Sequence, residues 1–201
     1  GEGERVGHEG DLAEENGARL LTLPAIVPLQ MSLLSRQLAL GADAFLFRYP
    51  HCWLVWEPGG WATPARDAEM NVAETTLGEV HMPQPVHGDG LCFPLRVHEG
   101  ATLRLGRAED NELVISDLTV SRVHAQLELT PDGWRVVAVN APLLSGGDVV
   151  APGSTLPLTS GLGLELGRVR LVFHEAKDFR RRVSTVPLRA PPAELSAGRR
   201  P

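Results

Sequence analysis

Cysteine is nearly absent from this 201-residue chain: only Cys52 and Cys92 occur, too few for a disulfide framework and at no metal-ligand spacing. A reducing, cytoplasmic setting is therefore expected. Long hydrophobic runs are lacking as well. The most apolar stretch, 20–34, is broken by Pro24 and Pro28 and falls short of the roughly 20 residues a membrane-spanning helix needs. An acidic segment precedes it, the wrong flank for a signal peptide, so no membrane insertion is expected. Positive charge is in deficit, 19 Lys and Arg against 25 Asp and Glu, a net charge of −6. That balance argues against a nucleic-acid partner and confines any anion site to a local arrangement. Catalytic signatures are missing too: there is no nucleophile elbow, Walker loop or paired-carboxylate motif, and an enzyme is not expected. His81, His87, Cys92 and His98 match no ligand pattern, so neither a metal nor a cofactor is expected.

What remains is an ordinary globular composition, 43% hydrophobic and 22% charged, with 16 Pro and 21 Gly that favour turns over long helices. Residues 1–30 read as a disordered N-terminal segment, Gly- and Glu-rich at its start and without hydrophobic periodicity. Residues 31–90 form an unassigned N-terminal region and linker. Within it, 31–40 carries a short-helix pattern ended by Gly41. Residues 45–49 and 52–56 read as strands divided by Pro50, and Pro58-Gly59-Gly60 as a turn. Tyr49, Trp53, Trp56 and Trp61 read as a small core packing this region onto the rest, with an aromatic partner surface as the alternative.

From Leu91 the strand signal strengthens. Val123, Ala125, Leu127 and Leu129 alternate with polar neighbours, the period of a half-buried strand. Pro131-Asp132-Gly133 turns the chain into a second strand beginning at Trp134, and Val169, Leu171 and Phe173 mark a last one. Short strands at regular spacing predict an antiparallel β-sandwich over 91–175. Residues 176–201 hold seven Lys and Arg against Asp178 and Glu194 among several prolines, a basic tail expected to be disordered. The fold class is thus mainly β, with an N-terminal β-rich extension and disordered termini.

Within the sandwich, Leu105-Gly106-Arg107 is followed by Asn111-Glu112-Leu113-Val114-Ile115-Ser116-Asp117, then Ser121-Arg122-Val123-His124-Ala125 and Trp134. This spaced set resembles the forkhead-associated (FHA) domain family, whose members are β-sandwiches that bind phosphothreonine. The resemblance implies that Arg107 forks onto the phosphate, that Ser121 donates its hydroxyl to it, and that Arg122 contacts phosphate or peptide. Gly106 would let the strand end turn sharply, and His124 would bond inward to brace the Ser121 loop. A phosphothreonine brings close to two negative charges and three strong acceptors, and a guanidinium with a small hydroxyl matches them. The sequence departs from the family after Trp134: the usual Ser-x-Asn-Gly-Thr turn, whose Asn holds the ligand backbone, is replaced by Asn140-Ala141-Pro142-Leu143-Leu144-Ser145. Either Asn140 or Ser145 could substitute.

Two segments have the look of kinase sites. Glu74-Thr75-Thr76-Leu77 lies ahead of the domain, where some bacterial FHA regulators carry a phosphorylated Glu-Thr-Thr that their own domain captures; Arg181-Arg182-Val183-Ser184-Thr185 resembles a basophilic site. The expectation is a cytoplasmic adaptor, bacterial by its Arg, Ala, Gly and Pro usage. It would bind a phosphothreonine-containing protein, or its own phosphorylated segment, in Ser/Thr protein kinase signalling. The alternative is an FHA-fold scaffold, in a secretion or envelope assembly, that binds without phosphate dependence.

Overall fold

The computed structural model describes residues 23–58 and 89–187. Twelve strands form two sheets. The first strands are β1 (Leu29–Gln30), β2 (Cys52–Trp56), β3 (Leu91–Leu95), β4 (Thr102–Gly106), β5 (Leu113–Val114) and β6 (Ala125–Thr130). They are followed by β7 (Gly133–Ala138), β8 (Leu143–Ser145), β9 (Asp148–Val150), β10 (Thr155–Pro157), β11 (Gly163–Leu166) and β12 (Val169–His174). The seven-stranded sheet runs β1-β3-β2-β12-β11-β8-β9 and the five-stranded sheet β10-β7-β6-β4-β5. All pairings are antiparallel except β4 with β5. Three helices accompany them: α1 (Met31–Leu40), α2 (Ala42–Arg48) and α3 (Ala176–Ser184).

The alternation seen in the sequence is the alternation of burial. In β6, Ala125 and Leu127 are buried and Gln126 and Glu128 half-buried, and the register sets Leu127 opposite Leu103 and Val136. These side chains meet Leu54, Phe93, Leu164, Leu171 and Phe173 of the other sheet in one core. Strand β2 behaves differently, because both of its faces are covered. Leu54 and Trp56 join the core between the sheets, whereas Trp53 and Val55 point outward into a second core with Met31, Leu34, Phe45, Tyr49, Phe179 and Val183. A run of hydrophobic residues with no polar alternation, Cys-Trp-Leu-Val-Trp, is what burial on two faces demands. The molecule is therefore three-layered where the helices cover the sheet, and Trp53 stacks on Phe179 at 4.2 Å with the rings 13° apart.

Several expectations need correction. Residues 45–49, read as a strand, belong to α2 and its C-cap: the Phe45 N–H donates to Gly41 O at 3.0 Å and the Tyr49 N–H to Phe45 O at 2.9 Å. Phe45 and Tyr49 share one helical face, their rings 4.9 Å apart, and Pro50 ends the helix. The Phe-Leu-Phe run is hydrophobic without alternating, so period alone could not separate a short helix from a strand. The N-terminal extension is accordingly helical, with β1 and β2 as its strands. Residues 29 and 30 lie not in a disordered segment but in β1, paired with Leu91 and Cys92. The 176–201 tail begins with an ordered helix, because Phe179 and Val183 fall on one face and are fully buried against Trp53 and its neighbours. Strand β2 pairs with β3 and β12, so the sandwich is completed by residues that lie well before position 91. Residues 1–22, the Pro58-Gly59-Gly60 turn beyond Pro58, Trp61, the 62–88 linker with Thr75, Thr76, His81 and His87, and residues 188–201 lie outside the described residues. Among the described residues no group of His, Cys, Asp or Glu is placed to hold a metal, and no helix is long and apolar enough to cross a membrane.

Two-sided burial of β2 makes Trp53 the residue on which the helical layer rests. Trp53→Ala should cost about 3–5 kcal/mol, the usual range for emptying a buried tryptophan site. Urea unfolding followed by circular dichroism would show this as a lower midpoint; an unchanged midpoint would mean the helices do not stabilise the sandwich.

Candidate functional site

Strand β4 ends at Gly106, and the chain leaves it as Arg107 just where the loop from β5 to β6 passes. The Arg107 N–H donates to Ser121 O at 3.0 Å and the Ala108 N–H to Arg122 O at 3.1 Å. Two loops distant in sequence are thereby zipped together backbone to backbone, and Arg107, Ser121 and Arg122 are brought to one place. A Cβ at position 106 would fall inside contact distance of the Arg122 carbonyl oxygen and within 2.8 Å of Ser121 O. Gly106 is thus required for a close approach of two backbones, not for the sharp turn expected from the sequence; its φ is not among the positive ones.

Asn111 completes the zipper from below. It is 1% exposed, and its Nδ2 donates to Ala108 O at 2.8 Å and to Arg122 O at 2.6 Å, bridging the loops. Glu112 anchors the same loop to β4: its carboxylate accepts from the Arg104 N–H at 2.8 Å and pairs with the Arg104 guanidinium, which also donates to Asp110 O. Sequence reasoning gave Asn111 no role. Its only signal was its place at the start of the Asn-Glu-Leu-Val-Ile segment, separated from the apolar run by Glu112.

His124 sits behind Ser121. Its Nδ1 accepts the Ser121 N–H at 3.2 Å, so the proton rides on Nε2, which donates to Pro142 O at 3.2 Å. Burial holds its pKa below the ordinary histidine value, with the Pro142 carbonyl opposing in part. The neutral ring therefore links the Ser121 loop to the loop before β8. Asn140 lies in that second loop, and its Nδ2 donates to Val123 O at 2.9 Å. Ser145 does not join this group. It ends β8 just before the Gly146-Gly147 turn, opposite Asp148, and is itself buried.

On the far flank, Asp117 Oδ1 accepts from the Thr119 N–H at 2.8 Å and from its hydroxyl at 2.5 Å. The Thr119 hydroxyl oxygen in turn accepts from the Arg168 N–H at 2.9 Å, tying the loop to the turn between β11 and β12. Against this rigid frame the functional groups are free. The Arg107 guanidinium and the Ser121 hydroxyl have no hydrogen-bond or ionic partner among the described residues, and Arg122 is exposed. The arrangement can hold an oxyanion, and His124 meets the Ser121 backbone rather than its hydroxyl. Ser184 and Thr185 lie elsewhere, on the last turn of α3, where their hydroxyls donate to Arg181 O and Arg182 O.

Two outcomes follow. Gly106→Ala should force the loops apart, lowering stability by more than the about 1 kcal/mol of an average substitution and abolishing any ligand binding that needs both; a binding and melting comparison with wild type checks it. Acid should also loosen the protein. His124 and His174 are lowered by burial, and His51 is lowered to about 4 by burial and then by Arg96. Below about pH 6.5 the unfolded chain binds protons that the folded one refuses, so stability falls from there toward the folded values. Urea midpoints between pH 7.5 and 5, two values chosen to bracket the ordinary histidine pKa of about 6.5, should decline; a flat profile would contradict the buried neutral rings.

Residues 88–177 match the family model described as the inner membrane component of T3SS, cytoplasmic domain. No curated protein matches. Among solved structures, the FHA domain of the CT664 protein from Chlamydia trachomatis is similar at 15% identity, covering 62% of this chain and 97% of that one, with a TM-score of 0.42. The FHA domain of an Arabidopsis thaliana hypothetical protein is similar at 20% identity over 63% of this chain and 86% of that one, also with a TM-score of 0.42. The N-terminal FHA domain of Rad53p from S. cerevisiae, solved with a phosphothreonine peptide, is similar at 18% identity over 43% of this chain and 79% of that one, with a TM-score of 0.36. The family match and the two-sheet sandwich together support an FHA-type domain over residues 88–177, under half of the chain, and the zipped Gly-Arg and Ser-Arg-x-His loops lie within it.

Proposed function

We propose that the chain is a non-catalytic adaptor that binds phosphothreonine segments produced by a Ser/Thr protein kinase, in the cytoplasm. The observation that supports this reading most is the 3.0 Å bond from the Arg107 N–H to Ser121 O, which brings to one place two residues whose side chains have no partner among the described residues. Arg107 supplies the charged fork, Ser121 a short hydroxyl donor and Arg122 a second cation at the rim. His124, Asn111 and Gly106 hold those groups in place before the ligand arrives, so little ordering entropy is lost on binding. For the ligand's backbone we favour Asn140 over Ser145. Asn140 is exposed and bonded to the Ser121–His124 loop through Nδ2 alone, which leaves its carbonyl oxygen for a peptide N–H.

A second reading rests on the family match to the inner membrane component of T3SS, cytoplasmic domain. There the same sandwich would be a scaffold in a secretion assembly, with no dependence on phosphate. The two differ in pH and salt response: a phosphate reader weakens below about pH 6, where the ligand gains a proton, and with rising salt.

Fluorescence anisotropy with a degenerate phosphothreonine peptide library tests the first reading. Wild type should bind, and Arg107→Ala should bind about ten- to a hundredfold more weakly, the loss of one or two charge-assisted bonds. Equal binding of the unphosphorylated library would favour the scaffold.

A further inference from the structure

A second surface lies on the opposite side of the seven-stranded sheet from the sandwich core, where the helices pack. Leu38 of α1 and Ala42 and Leu46 of α2 line one side of a groove, and Lys177, Arg180 and Arg181 of α3 line the other. Beside it in the chain, Leu40 and Phe47 are 89% and 91% exposed, the most exposed large hydrophobic residues described. Single exposed apolar residues need no explanation, but two of them flanking an apolar groove with a cationic wall mark an interaction surface.

The charge of the groove is one-sided. Arg181 pairs with Asp178 at 3.0 Å, while Lys177 and Arg180 have no carboxylate partner among the described residues. The acids on the facing elements are Asp178 itself and the exposed Asp43 of α2, and neither lines the groove. Lys177, Arg180, Arg181 and Ser184 recur at helical spacing along one stripe of α3, two turns or about 10 Å in length. In a chain of net charge −6 such a stripe is a local exception. Leu38 and Leu46 are half-buried, sunk between the walls, so an occupant must bring protruding apolar side chains into the groove. A helix does that; a flat lipid surface does not.

We propose that the groove between α1–α2 and α3 is a docking site for an acidic amphipathic helix of a partner protein. Leucine-type side chains of that helix enter between Leu38 and Leu46, and its carboxylates, spaced one turn apart, run along Lys177 and Arg180. Ser184 lies at the end of the stripe, so a phosphate there would compete with those carboxylates for the same cations. The site is separate from the Arg107–Ser121 loops and does not depend on how they are read.

The test uses the full chain and two fluorescein-labelled helical peptides, one of leucine and glutamate in amphipathic register, the other with lysine in place of each glutamate. Vesicles of phosphatidylglycerol and phosphatidylcholine form a third arm. The Glu/Leu peptide should bind and the Lys/Leu peptide should not. The surface variant Lys177→Glu/Arg180→Glu should weaken the first by about tenfold or more, while Phe47→Ser checks the apolar contact and Arg107→Ala leaves binding unchanged. Equal binding of both peptides, or no response to charge reversal in a variant with a native circular dichroism spectrum, would overturn the proposal. So would vesicle binding without peptide binding, which gives the surface to lipid. Peptide binding that emerges only once the acidic residues 1–22 are removed would give the groove to the chain's own terminus.

Discussion

The backbone of Gly106 runs so close to that of Ser121 and Arg122 that no side chain fits between them, and the candidate site depends on this contact. Because the loops bond amide to carbonyl, the positions of Arg107 and Ser121 follow from main-chain geometry, and their side chains have no partner among the described residues. Every other feature nearby serves the contact. Asn111 pins it from one side, the neutral His124 from another, and the Asp117–Thr119–Arg168 bonds fix the loop to the neighbouring sheet. Loops held in this way are ordered during folding, so a ligand of the proposed kind would meet a rigid site.

The sandwich that carries these loops is stabilised from an unexpected quarter. Strand β2 precedes the recognisable domain by more than thirty residues of sequence, yet it occupies the middle of the larger sheet, between β3 and β12. Its outward residues, Trp53 and Val55, would face water in a two-layered protein; here α1, α2 and α3 cover them. The helical layer is thus the physical consequence of a strand that is hydrophobic on both faces. The same layer creates the basic groove on its outer surface, so the protein has two separate places at which a partner could be held.

Much of this was legible in the sequence, and the failures have physical causes. The strands over 125–130 and 169–174, the turn at Pro131-Asp132-Gly133 and the helix over 31–40 rest on local periodicity and turn chemistry, but the tertiary structure overrides the alternation at His124, Val172 and His174, which are buried where polar or outward positions were expected. Residues 45–49 were misread because the consecutive hydrophobic residues Phe45, Leu46 and Phe47, followed by a single arginine and Tyr49, carry no clear period. The helix α3 was misread because composition, basic and followed by prolines, hid Phe179 and Val183, whose i and i+4 spacing places them on one face. At the site, the motif residues were visible but the mechanism of their convergence was not. The roles of Gly106 and Asn111 arise from contacts between segments distant in sequence, which no local pattern encodes. The choice between Asn140 and Ser145 likewise needed the register of β8, which carries Ser145 into a hairpin and leaves Asn140 beside Val123.

The central claim is that the zipped loops receive a phosphothreonine. The most direct measurement is a nuclear magnetic resonance titration of the isotopically labelled chain with a phosphothreonine peptide and its unphosphorylated twin. The account predicts that the amides of Arg107, Ser121 and Arg122 shift, together with the side-chain amide of Asn140, with the phosphorylated peptide alone. Shifts confined to other surfaces, or identical with both peptides, would contradict it.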